Sequence, residues 1–181
     1  MVEDNLLNTL HKHKIKISEE KIHERLFDRY RWPIKYPWGQ PTVEVITEEG
    51  SKHQDFFYKD GFIDTNKCLS LYEEGYTLIL SNVGTLFSDF VFVQGKLNQK
   101  YKKWINCNLY FGNGKKSISF PKHTHPYAVI VKNIFGESKW IINKQEVIIK
   151  DQECIWFDKE TDHEVVQINK PKASLTCNIV V

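Results

Sequence analysis

The 181-residue chain is short of cysteine, methionine and proline, and it has no long apolar run. Its four cysteines, Cys68, Cys107, Cys154 and Cys177, lie far apart with no C-x-x-C pair, which excludes a zinc-ribbon or dithiol motif. A chain of this length needs no disulfide staples. The four are therefore expected as reduced thiols, mostly filling a core. No stretch reaches the ~18 apolar residues that span a bilayer. The opening MVEDNLLNTLHKHK lacks the apolar block of a secretory signal, so a cytoplasmic protein is expected. Charge of one sign is missing too: 25 Lys plus Arg against 23 Asp plus Glu leave +2. That balance argues against a dedicated nucleic-acid or membrane-surface binder. What is plentiful is aromatic, with 11 Phe, 8 Tyr and 5 Trp, side chains that bury large areas and suit sheets. With 41% apolar and 27% charged residues, the chain reads as globular, and one domain is the simplest organisation.

Residues 2–30 have helical spacing. Leu6, Leu7 and Leu10 share one face, then Ile22, Leu26 and Tyr30 repeat. Ser18 is the expected N-cap between two helices, with Glu19 and Glu20 in the acidic first turn. The proline-bearing run 32–37 ends that pattern. Short β-rich runs follow at 42–46, 76–80, 104–111, 127–134, 140–142, 147–149, 154–157, 163–168 and 174–181. Turn signals such as Gly112-Asn113-Gly114 separate them. One interruption, with Leu86, Phe90, Leu97 and Tyr101, is helical. Short strands without alternating helices predict a mainly β antiparallel sandwich or barrel with helices packed outside. The expected division is an N-terminal helical segment, 1–40, on a barrel domain, 41–181.

Seven histidines carry the chemistry worth weighing. His11 and His13 sit in a predicted helix, where residues two apart diverge, and they read as a solvated helix end. His123 and His125 lead into a strand, where residues two apart share a face, so both imidazoles can aim at one ion. His163 opens another strand about 40 residues on, far enough for a turn, two strands and a return. Three convergent nitrogens with open positions suit Fe(II), Mn, Co, Ni or Zn. The bland alternative is a satisfied core His125 and a loop His163.

The segment from His123 through Asn133 and Gly136 to Trp140 resembles the metal-binding strand of the cupin superfamily, and more narrowly the JmjC-like cupins. Gly75 to Leu80, Asn108 to Tyr110, and Asp151 onward to His163 resemble that family's flanking strands and its last turn. The resemblance covers roughly residues 70–181. It implies a double-stranded β-helix, or jelly roll, holding Fe(II) through His123, His125 and His163. It also implies 2-oxoglutarate as cosubstrate, with hydroxylation of a peptide, protein or small-molecule substrate. Asn133, Tyr110, Asn108, Thr176 and Asn178 are cosubstrate candidates by strand parity, each also readable as a polar residue satisfied inside a barrel. Nothing points to a membrane, and a homo-oligomer stays open.

The chain departs from that family at two places. His125 stands where the family has a carboxylate, and Val129 where other cupins have a Glu ligand. The family's cosubstrate lysine falls at Ser138, with Lys139 one step out of phase; a bulge is needed to bring Lys139 inward. Both departures leave open a three-His Fe(II) dioxygenase that needs no 2-oxoglutarate, or a cupin that binds without catalysis. The lysines 96, 100, 102 and 103 point to RNA or an acidic partner, though a solvated helix face explains them more cheaply.

Overall fold

The structure is a computed structural model describing residues 2–25, 43–48, 50, 57–59, 62–116, 118–168 and 170–180. The proposed boundary near residue 40, Leu26, Tyr30, the run 32–37 and Thr42 lie outside these. Four helices are present among the described residues: α1 (Val2–Lys12), α2 (Glu19–His23), α3 (Thr65–Glu74) and α4 (Ser88–Tyr101). Ser18 caps α2 by accepting the Lys21 N–H at 3.4 Å. Asp64 caps α3 through the Lys67 N–H at 3.2 Å, and Gly75 ends it in the left-handed region that glycine tolerates. The sequence pattern did not announce α3, whose buried residues are only Cys68, Leu71 and Tyr72.

The described residues also form eleven strands, numbered in chain order: β1 (Val43–Ile46), β2 (Tyr58–Lys59), β3 (Phe62–Ile63), β4 (Thr77–Leu80), β5 (Asn106–Gly112), β6 (Ala128–Phe135), β7 (Ser138–Ile142), β8 (Gln145–Ile149), β9 (Cys154–Phe157), β10 (His163–Gln167) and β11 (Lys172–Ile179). β2 and β3 form a separate small ribbon. The larger sheet has the order β1-β4-β5-β11-β6-β9 and the smaller β10-β7-β8, with every pairing antiparallel. From β5 onward the chain places β5 and β6 in the larger sheet and β7 and β8 in the smaller, then crosses at each step through β9, β10 and β11, and the last strand returns beside β5. That order is the jelly-roll winding.

Strand alternation divides the apolar residues into two cores. On β5, Cys107, Leu109 and Phe111 face outward onto the helices, joined by Leu175 and Cys177 of β11 and by Phe90, Val93 and Leu97 of α4. Inside the barrel, Val129, Val131, Trp140, Ile149 and Phe157 form a smaller cluster. All four cysteines are buried and free, with the Cys107 and Cys177 sulfurs 3.0 Å apart across β5 and β11.

The N-terminal segment is held on by polar contacts. Lys132 is fully buried, and its Nζ donates to Gln152 O at 2.6 Å and to His11 O, near the end of α1, at 3.4 Å. His13, expected in solvent, instead stacks on Phe92 with centroids 4.1 Å apart and sits 3.1 Å from Asp89 Oδ1. The chain has left the helix at that point and turns back onto α4.

Gly136 joins β6 to β7 at φ +74°, and a Cβ there would lie 2.4 Å from Pro171 O. Left-handed backbone and a main-chain clash combine. Gly136→Ala is therefore expected to cost about 2–5 kcal/mol, read as a shift in the urea midpoint at constant slope.

Candidate metal centre

Main-chain pairing brings His123 and His163 together. Each N–H donates to the other's carbonyl, at 3.1 and 3.0 Å, which adds the His123 segment to the edge of β10. Directly opposed residues of an antiparallel pair project to one face. His125 follows two residues on, before β6, and its carbonyl accepts the Glu160 N–H at 2.8 Å. Ring centroids are 4.4 Å apart for His123 and His163, 4.8 Å for His123 and His125, and 5.1 Å for His125 and His163. One ligand nitrogen from each residue lies within 4.8 Å of the others. Two metal–nitrogen bonds of about 2.1 Å span at most about 4.2 Å, so small side-chain rotations would close the set on one ion.

Hydrogen bonds set the tautomers. His123 Nδ1 lies 2.7 Å from Pro121 O, and His163 Nδ1 lies 2.8 Å from Thr161 O. A carbonyl only accepts, so both Nδ1 atoms carry hydrogen and each Nε2 keeps its lone pair for a metal. Burial pushes His163 below the ordinary imidazole pKa and the neighbouring His123 adds to that, against the Thr161 carbonyl and Asp162. The neutral, ligating form is thereby favoured. Among the described residues no carboxylate joins this group. Asp162 pairs with Lys122 at 2.8 Å, and Glu160 accepts from Thr124 at 3.4 Å. The donor set is thus three neutral nitrogens, which fits Fe(II), Mn, Co, Ni or Zn and leaves the ion's full charge for anionic reactants.

The imidazoles line one end of a cavity of about 50 Å³. That volume holds roughly three to five waters, the bulk of a small acid of about five carbons. Phe157 stacks on His163 at 4.9 Å, and Trp140, Val129 and Val131 complete an apolar wall. Of the cosubstrate candidates, Tyr110 and Thr176 line this cavity. Three others do not. Asn133 has the expected parity but lies beyond it, donating from Nδ2 to Gly136 O at 2.7 Å and to Ile149 O and Lys150 O at 3.2 Å. Asn108 accepts the Asn82 N–H at 3.2 Å, and Asn178 falls outside the lining.

Lys139 lies outside the cavity lining: it pairs with Ile148 on β8 and, at a register shift between Val165 and Gln167, with Gln167 on β10, and its Nζ lies 2.7 Å from Glu146 Oε2. Ser138 is the inward residue, and its Oγ accepts the Trp140 Nε1–H at 2.8 Å. The lysine that does line the cavity is Lys172, at the head of β11. It is only 5% exposed, with Nζ 5.4 Å from the Trp140 ring centroid, and no carboxylate pairs with it among the described residues. Burial pulls its pKa down to about 7. A signal for it exists in the sequence: Lys172, Ser174 and Thr176 alternate with Ala173, Leu175 and Cys177, so all three share the inward face. Gly112, opposite Lys172 on β5, leaves room above the strand.

No family model matches the chain, and no curated protein does. Solved structures do. The EutQ protein of Clostridium difficile is 15% identical over 58% of this chain and 68% of its own, with a TM-score of 0.39. A cupin superfamily protein of Desulfitobacterium hafniense is 10% identical over 42% of this chain and 68% of its own, with a TM-score of 0.38. Salicylate 1,2-dioxygenase of Pseudoaminobacter salicylatoxidans is 6% identical over 41% of this chain and 20% of its own, with a TM-score of 0.36. The chain thus spans about two thirds of the two shorter neighbours and a fifth of the dioxygenase.

Proposed function

We propose that this chain is a metal-dependent oxygenase that takes Fe(II), O2 and 2-oxoglutarate and hydroxylates a peptide, protein side chain or small molecule. The observation that carries this reading is the pairing, in one small cavity, of three imidazoles with a buried lysine that has no carboxylate partner among the described residues. A burial of that kind is costly unless an anion arrives. A 2-oxo dicarboxylic acid has the matching ends, a keto acid for a metal and a distant carboxylate for an ammonium.

His123, His125 and His163 would hold the iron. Bound Fe(II) supplies one-electron chemistry with O2, while 2-oxoglutarate gives two electrons as it loses CO2 and becomes succinate. The protein's own part is placement. Lys172 anchors the far carboxylate, and Tyr110, Ser174 and Thr176 offer hydroxyls along the cavity. Phe157, Trp140, Val129 and Val131 keep bulk water away.

The neutral third ligand, His125, favours a second reading, an Fe(II) dioxygenase that binds its substrate directly. An anaerobic titration separates them. Fe(II) followed by 2-oxoglutarate should give a visible charge-transfer band, and with O2 the protein should form succinate. Iron binding without any spectral response to 2-oxoglutarate would support the second reading and remove the first.

A further inference from the structure

The open end of the barrel carries an apolar row that the metal centre does not use. Trp104 is 65% exposed and Val180 60%. Asn106 pairs with Asn178 and Val129 with Asn178, so continuing both registers by two residues sets Trp104 and Tyr127 on either side of Val180. Ile105 and Ile179 point into the helix-covered core, so alternation turns Trp104 and Val180 to the cavity side of the sheet. With strands about 4.8 Å apart, the row is about 10 Å wide. Tyr127 stacks on His125 with centroids 5.0 Å apart and planes 7° from parallel, so the row ends on a candidate metal ligand.

The charges beside the row are asymmetric. Lys102 and Lys103 precede Trp104, and Lys103 Nζ donates to Val180 O at 3.4 Å, which holds its ammonium over the row. Across the mouth, the loop between β9 and β10 carries Asp158, Glu160 and Asp162 against the single Lys159.

We propose that the Trp104–Val180–Tyr127 row docks an acidic peptide segment of a partner protein, its apolar side chains covering the row and its carboxylates turned toward Lys102 and Lys103. The proposal rests on the oxygenase reading only for placing the row at that site's mouth. A valine between the two rings favours a peptide over a nucleic-acid strand, whose bases would stack on the rings alone. Tryptophan and tyrosine, the two rings that flank Val180, are among the residue types enriched where protein interfaces are anchored.

The test uses the full chain without metal and a fluorescein-labelled peptide of three Glu-Leu-Asp-Gly repeats, followed by anisotropy at low salt. The probe should bind at least about tenfold more tightly than its Lys-Leu-Lys-Gly counterpart and weaken as salt rises. Trp104→Ala, and separately the pair Lys102→Glu and Lys103→Glu, should each weaken binding at least about tenfold. A parallel Co(II) titration should be unchanged in these variants. Equal affinity for both peptides, tighter binding of oligothymidylate, or a Trp104-dependent dimer by light scattering overturns the proposal. Because the probe is read without metal, failure of the metal centre shows only in the Co(II) titration, and failure of the docking row only in the anisotropy.

Discussion

Replacing His163 by alanine should lower affinity for Co(II) or Fe(II) by about 10²–10³-fold. Zinc sites with four ligands bind with about 10–16 kcal/mol, so each ligand carries roughly 2.5–4 kcal/mol. His123→Ala should lose about as much. The two losses should not add, because the remaining pair of imidazoles already binds too weakly to matter. Isothermal titration under anaerobic conditions measures this. His13→Ala serves as the contrast, since its ring lies against Phe92 and Asp89, and metal affinity should stay unchanged. His163 also packs on Phe157 and lies near Trp140, so its removal leaves a small void and a modest loss of stability. His123 is only half-buried, and its variant separates ligation from packing. Full metal affinity in both alanine variants would remove the centre.

Lys172→Met is expected to act in opposite directions on stability and on cosubstrate binding. The folded chain holds Lys172 with a pKa of about 7, against about 10.4 in the unfolded chain. Between those values the unfolded state keeps a proton that the folded state has released. The wild-type protein should therefore gain stability as pH rises from about 7 to about 10, with a slope approaching 1.4 kcal/mol per pH unit. Below pH 7 both states are protonated and the full cost of burying the charge is present. Methionine fills a similar volume without charge, so the variant should lose that slope and be several kcal/mol more stable near pH 7. Urea unfolding at a series of pH values reads both effects. The same variant should bind 2-oxoglutarate at least about 30-fold more weakly, because a buried ammonium–carboxylate pair carries about 2–5 kcal/mol when one partner is removed. In the wild type, affinity should fall as pH rises above 7 and the ammonium is lost. A stability curve of Lys172→Met parallel to wild type would show that the lysine is solvated rather than buried.

The barrel strands were legible because alternation with period two survives in a half-buried sheet. β9 begins and ends where the pattern placed it, and β5, β6 and β11 differ by one or two residues at their ends. α3 was not legible, since three buried positions in ten residues leave little period to read. The strands also hid which of their two faces is the barrel interior. Cys107, Leu109 and Phe111 are the more apolar face of β5, yet they point out toward the helices, while Tyr110 points into the cavity. A helical layer outside a sheet makes the outer face the larger core.

His123 and His125 could be paired from spacing alone, because strand geometry carries residues i and i+2 to one side whatever the rest of the chain does. Their partnership with His163 needed the bridge that closes the smaller sheet. Lys139 and Lys172 make the sharper contrast. Both are single lysines in strands, and one-residue parity put the first outside and the second inside. The amino-acid order settled which side chains travel together along each strand, through the two-residue repeat and the turns that interrupt it. Only the folding of two sheets over one another decided which of those faces is enclosed and dry, because that depends on strand order across the sheets, which no local pattern encodes.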